Sequence, residues 1–229
     1  MSGDRKAILG RIAEALREPA PRHHETMPVP AAAAVTAPFR EWLPPGGDSQ
    51  AARIESFTKL SEVLRTEFRK CTTISAAAKQ IASLAKEGGW KKVALHKGEL
   101  IDELAPHLPE SLALMRVRAG YDRDALEGCD AGLTECESLV AQTGSVCVSA
   151  RSSGGRTLSV LPPHHIVVAR KEQLVADLPA AYERLAQKYG ANYPSFIGFI
   201  TGPSRTGDIE RILVLGAHGP RKLTVLLVP

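Results

Sequence analysis

The sequence predicts an α/β fold, a mostly parallel sheet with helices on both faces. Three observations predict it: short apolar runs alternate with amphipathic stretches from about residue 48 onward, one long amphipathic stretch closes at Gly190, and "KLTVLLV" ends the chain as an almost continuous apolar strand. Strands separated by helical crossovers are parallel, and buried parallel strands read as unbroken apolar runs.

Taken in order, Ile8, Ile12, Ala15 and Leu16 repeat at helical spacing, with Asp4 placed as an N-cap. Residues 19–45 then hold seven of the sixteen prolines and the Ala31–Ala34 run, a composition that resists regular structure. The division is therefore an N-terminal helix and Pro/Ala-rich arm, 1–45, and an α/β domain, 46–229. Ile54, Phe57, Leu60, Leu64 and Phe68 mark one face of a long helix, and a second helix is expected from Ser75 to Lys86, closed by Gly88 or Gly89. "KKVALH" reads as a strand, "GELIDELAPHL" as a helix, and "LALMRVR", "SVCVSA" and "HIVVA" as strands. "KEQLVADLPAAYERLAQKYG" reads as a long helix, "FIGFIT" as a strand and "DIERIL" as a helical turn.

Composition excludes several functions. The chain has 229 residues, 44% of them hydrophobic, and its 29 basic and 25 acidic residues are interspersed, so no basic block marks a nucleic-acid surface. No run approaches the roughly 18 apolar residues of a membrane span, and the N-terminus lacks the apolar core of a secretory signal. A cytoplasmic protein is expected. Cys71, Cys129, Cys136 and Cys147 form no C-x-x-C pair, the spacing of iron–sulfur and structural zinc sites. His164 and His165 are adjacent and point to opposite faces of a strand, a poor geometry for one metal. No metal site is expected, and the cysteines are read as reduced, buried thiols.

Ligands of such sheets collect at the carboxyl ends of strands. Three polar loops are candidates. The first holds Thr143, Gly144 and Ser145 in "AQTGSV"; the second holds Arg151, Arg156 and a Gly-Gly pair ahead of Pro162 and Pro163. The third, "TGPSRTGDIE", places Gly202, Pro203, Ser204, Arg205 and Thr206 at an expected helix start, where free N–H groups and the Arg205 fork would cradle an anion. Thr206 or Gly207 as a cap, completed by Glu210, is the structural alternative. His218 and Asp208 are the candidate proton-transfer groups, His218 being flanked by glycines that allow close approach. His23, His24, His96 and His107 carry no functional signal.

"VLPPHHIVV", "ITGPSRTGDIE" and "LGAHGPRKLTVLLV", in that order, resemble the carboxy-terminal half of the lactate-utilisation (LUD-domain) proteins of the LutC/YkgG type, over about residues 130–229. Gln142 is a departure, since the family commonly has an acidic residue there. The resemblance implies a NagB/RpiA/CoA-transferase-like fold and a part in oxidising L-lactate to pyruvate beside partner subunits that carry iron–sulfur clusters. This chain would then be the cluster-free accessory member, with no cofactor of its own. The alternative is a stand-alone enzyme or binding protein for a small anionic metabolite such as a carboxylate, sugar phosphate or coenzyme A-like ligand. Self-association into a homo-oligomer is left open.

Overall fold

The computed structural model describes residues 2–15, 17, 44–117, 123–207, 213–215 and 219–229. It divides into two units, Met1–Leu43 and Pro44–Pro229. In the first, helix α1 spans Ser2–Ala15, so Asp4 lies inside the helix rather than at its cap. Of the arm's seven prolines, all but Pro44 and Pro45 fall outside the described residues.

In the second unit the most apolar runs take the most buried places. Strand β7 (His164–Arg170) and the terminal strand β12 (Lys222–Val228) pair in parallel along seven residues, Lys222 opposite His164 and Val228 opposite Arg170. Strand β1 (Glu67–Lys70) flanks β12, while β4 (Ala131–Thr134), β2 (Lys92–Leu95) and β3 (Ala113–Arg116) continue from β7. The resulting six-stranded sheet runs β1-β12-β7-β4-β2-β3, every pair parallel. This is the mostly parallel sheet that the alternation predicts.

Helices cover both faces. Helices α3 (Ile74–Gly88) and α4 (Glu99–Leu104) pack Ile81, Ile101 and Leu104 against Val93, Leu133, Ile166 and Leu226. On the other face helix α2 (Gln50–Leu64) sets Phe57 against Val167, Val225 and Leu227, and α5 (Arg123–Glu127) sets Leu126 near Ala94. Here the alternation does not tell the whole story. Strands β5 (Ser138–Val140), β6 (Ser145–Ser149), β8 (Leu174–Val175) and β9 (Ile197–Ile200) form a second sheet, order β8-β5-β6-β9, with antiparallel pairs. Leu139, Val146 and Val148 of this sheet join the Phe57 core.

Three local expectations change. Helix α2 stops at Leu64 because Arg65 turns left-handed (φ 61°), with the Thr66 N–H bonded to the Ser61 carbonyl. Phe68 is therefore on strand β1, its ring 4.9 Å from that of Phe57. The long helix before Gly190 begins only at Leu178, since the Asp177 carboxylate caps the Ala180 N–H and Pro179 sits in the first turn, so helix α6 is Leu178–Tyr189. Finally, β10 (Arg205–Gly207) pairs antiparallel with β11 (Leu213–Leu215) where a helix start was expected. Gly89 closes α3 in the left-handed region as anticipated (φ 62°). No described helix is long and apolar enough to cross a membrane.

Candidate functional site

The chain winds outward from β2 in two directions, first to β3 on one side and then to β4 on the other. Such a reversal opens a crevice at the carboxyl ends of the two strands, where α/β sheets bind their ligands. Here β2 leads into His96 and β4 into Glu135.

His96 is 2% exposed, and its Nδ1 has no hydrogen-bond partner. Burial holds its pKa below the ordinary histidine value, against the upward pull of Glu135 and of the Leu133 carbonyl. The Glu135 carboxylate accepts the Ile101 N–H at 3.2 Å, tying the start of α4, whose cap Gly98 has no side chain to offer. Two glycines make the enclosure. A Cβ at Gly98 would stand 2.3 Å from Glu135 Oε1 and 2.6 Å from His96 Nε2, and one at Gly154 would stand 2.4 Å from His96 Cβ. The Gly154 loop is held in turn by the Glu135 N–H, which donates to the Ser152 carbonyl at 3.1 Å. The result is an enclosed imidazole beside a carboxyl group at the switch point, two residue types that serve as proton acceptors and donors in catalysis. Sequence reading attached no function to His96. The only available signal was its place directly after a strand, and the strand order that gives that place meaning is a tertiary property.

Glu137 is also buried but is fully engaged. It accepts from Ser149 Oγ at 2.5 Å, Lys188 Nζ at 2.7 Å and the Tyr189 hydroxyl at 2.7 Å. Burial pushes its pKa up, and Lys188, Ser149 and Tyr189 together outweigh that push and hold it low. It ties the second sheet to α6.

The residues singled out from sequence divide into two groups. Thr143, Gly144, Ser145, Gly202, Pro203, Ser204 and Arg205 gather beside the end of α2, past the carboxyl ends of β5 and β9 of the second sheet and at the amino ends of β1 and β12 of the parallel sheet. Thr143 Oγ1 donates to Ser145 Oγ, which pairs with Thr201 Oγ1, both at 2.8 Å. A Cβ at Gly144 would meet the Leu64 and Leu60 side chains, and Gly202 (φ 90°) faces the Leu64 carbonyl. Ser204 N–H donates to the Pro220 carbonyl at 2.9 Å. Arg205 Nη2 donates to Leu64 O at 2.6 Å, closing the last turn of α2. With Arg205, Thr206 and Gly207 on a strand, the helix-start cradle expected there does not form.

Arg156 does not join this group. Its Nη2 donates to Ser195 O at 3.0 Å and its guanidinium stands 5.9 Å from the Phe196 ring, at the opposite end of β9 from Thr201. Arg151 lies over Tyr189. Asp208 and His218 are outside the described residues. His164 and His165 do point to opposite faces, Nε2 of the first to Thr224 Oγ1 and of the second to Thr134 Oγ1, each 2.8 Å. Among the described residues no group of three or more His, Cys, Asp or Glu side chains is placed to hold a metal ion. All four cysteines are free and buried.

Comparison with known proteins places these features. The LUD domain family matches residues 54–228. Over 205 residues the chain is 28% identical to "Lactate utilization protein C" of Geobacillus thermodenitrificans, covering 82% of this chain and 83% of that one. It is 27% identical over 187 residues to the YkgG protein of Escherichia coli, covering 79% and 81%. A solved structure of a DUF162 family protein from Deinococcus radiodurans superposes with a TM-score of 0.62 at 23% identity, over 79% of this chain and 99% of that chain, and shows the same fold. With its family match running from α2 to the last strand, the chain belongs to the LUD-domain family.

Proposed function

We propose that this chain is a cytoplasmic lactate-utilisation protein, the cluster-free accessory subunit of an iron–sulfur system that oxidises L-lactate to pyruvate. The observation that carries the reading is the family membership together with a relative named lactate utilization protein C that aligns over four fifths of both chains. The cysteines support the division of labour. Burial raises the thiol pKa of Cys71 and Cys129, raises Cys136 further, and pushes Cys147 up to about 12. Beyond their burial, no two of them stand in the C-x-x-C spacing by which iron–sulfur clusters are commonly held. Oxidation of lactate releases two electrons and two protons. In this reading the electrons pass to clusters on partner subunits, and His96 with Glu135 is this chain's own means of moving a proton.

The test is genetic and biochemical. Deleting the gene is expected to abolish growth on L-lactate as sole carbon source, and a tagged chain is expected to co-purify iron–sulfur subunits from lactate-grown cells. Undiminished growth with no iron–sulfur protein retained rejects the accessory role. The second reading, an enzyme or binding protein for a small anionic metabolite acting alone, is favoured by the enclosed His96–Glu135 pair. It predicts that the purified chain by itself is stabilised by such an anion and that His96→Ala removes the effect.

A further inference from the structure

Away from the switch point, the amino end of the parallel sheet carries two clefts, of about 270 and 230 Å³, that share Arg221 and Lys222. Trp90 and His164 line the first, and Arg65, Pro203 and Thr224 line the second. Each is a little smaller than an ordinary ligand pocket, and the two adjoin at these cations. No carboxylate among the described residues pairs with Arg65, Arg221 or Lys222. The two glutamates that line the clefts are engaged elsewhere: Glu67 takes the Arg69 guanidinium and the Thr224 hydroxyl, and Glu87 takes Ser83 Oγ.

The three cations are held by backbone that does not depend on their side chains. The Arg221 and Lys222 N–H groups both donate to the Pro163 carbonyl, at 2.8 and 3.2 Å, and Arg65 is fixed by its left-handed turn. The floor is ordered too. Thr224 gives its single proton to Glu67 Oε2 at 3.0 Å, so it must accept from His164, whose proton is then on Nε2. The Trp90 ring meets the His164 ring edge to face at 5.1 Å.

We propose that this end of the sheet binds a small phosphate ester carrying a planar group, its phosphate between Arg65, Arg221 and Lys222 and its planar group along Trp90. Three cations around one recess match a dianion better than a monocarboxylate, and a guanidinium fork suits phosphate oxygens in particular. His164 reports on occupancy. Burial first, and then Lys222, press its pKa down to about 4, and an anion neutralising Lys222 relieves part of that pressure. Glu67 pulls the same ring upward and Arg69 downward, and those two are paired with each other. The site stands apart from His96 and does not depend on the lactate reading.

Calorimetric titration of the full chain with adenosine monophosphate and with inorganic phosphate, each against potassium chloride of equal ionic strength, tests the assignment. Both phosphates are expected to bind, the nucleotide more tightly. Arg221→Gln with Lys222→Gln is expected to weaken both about tenfold or more, since each charge-assisted bond lost is of that order. The melting temperature of this double variant without ligand is expected to stay within a degree or two of the parent. Trp90→Leu is expected to weaken the nucleotide alone, and the His164 pKa, followed by NMR, is expected to rise on saturation. No heat beyond the chloride control, or equal affinity in the double variant, overturns the site. Equal affinity of nucleotide and phosphate in the parent chain overturns its planar half.

Discussion

Arg205 lies 141 residues beyond Leu64, and its Nη2 sits 2.6 Å from the Leu64 carbonyl oxygen. That oxygen belongs to the last turn of α2, where carbonyls lack helical partners and the dipole is negative. Arg205 thus joins the loop after β9 to the helix that precedes β1.

Arg205→Ala should therefore lower the stability of the empty protein. The side chain is exposed, so the loss is expected to be about 1 kcal/mol rather than the full value of a charged hydrogen bond. Urea unfolding would show a lower midpoint with unchanged slope. An unaltered midpoint would mean that the contact contributes nothing in solution.

Gly98→Ala should disrupt the switch point. Gly98 has extended backbone (φ −157°), so the penalty is crowding alone: the new methyl displaces Glu135 Oε1 and His96 Nε2. The expected cost is about 1–3 kcal/mol, as for other overpacked sites, together with failure to restore growth on L-lactate. Gly128→Ala is the control, because its Cβ would stand an ordinary 3.5 Å from the nearest atom. Equal behaviour of the two variants would show that the enclosure of His96 has no consequence.

Acid should destabilise the fold well before its carboxylates titrate. Burial presses His164 to about 4 and His165 to about 3. Below pH 6.5 the unfolded chain takes up protons that the folded chain refuses, so stability falls as pH falls and the loss levels off only near those folded values. Above pH 6.5 both states hold neutral rings and the effect vanishes. His164 alone accounts for about 3 kcal/mol across its full range. Urea midpoints at pH 7.5, 6.0 and 5.0 should decline, and His164→Gln should flatten the slope. A flat profile in the parent chain would show that these rings titrate normally.

Much of the architecture was legible in one dimension. "KLTVLLV" is almost continuously apolar because β12 is buried from Leu223 to Val228, and the helix stop at Gly89 read directly, since a cap is a local device. Errors came where a local pattern had two solutions. Phe68 continues the helical spacing of Ile54 to Leu64, but the left-handed Arg65 ends the helix first. "RTG" reads equally as a helix start or a strand, and pairing with Leu213–Leu215 decides for the strand. The second sheet was not legible because its strands are two to five residues long, and only the β5–β6 hairpin is local, while β8 and β9 pair with segments tens of residues away.

By itself, then, the sequence determined the α/β class, the burial of the four thiols and the family, through motifs whose spacing is contiguous. Which residues face one another was settled only by the tertiary structure. It sent Arg156 and Arg205 to opposite ends of β9, joined Arg221 to Pro163 and Ser204 to Pro220 at the amino end of the sheet, and made His96 and Glu135 neighbours although 38 residues lie between them in the chain. The physical reason is strand order. In a parallel sheet each strand's neighbour is chosen by crossovers and packing over tens of residues, and no local pattern records that choice.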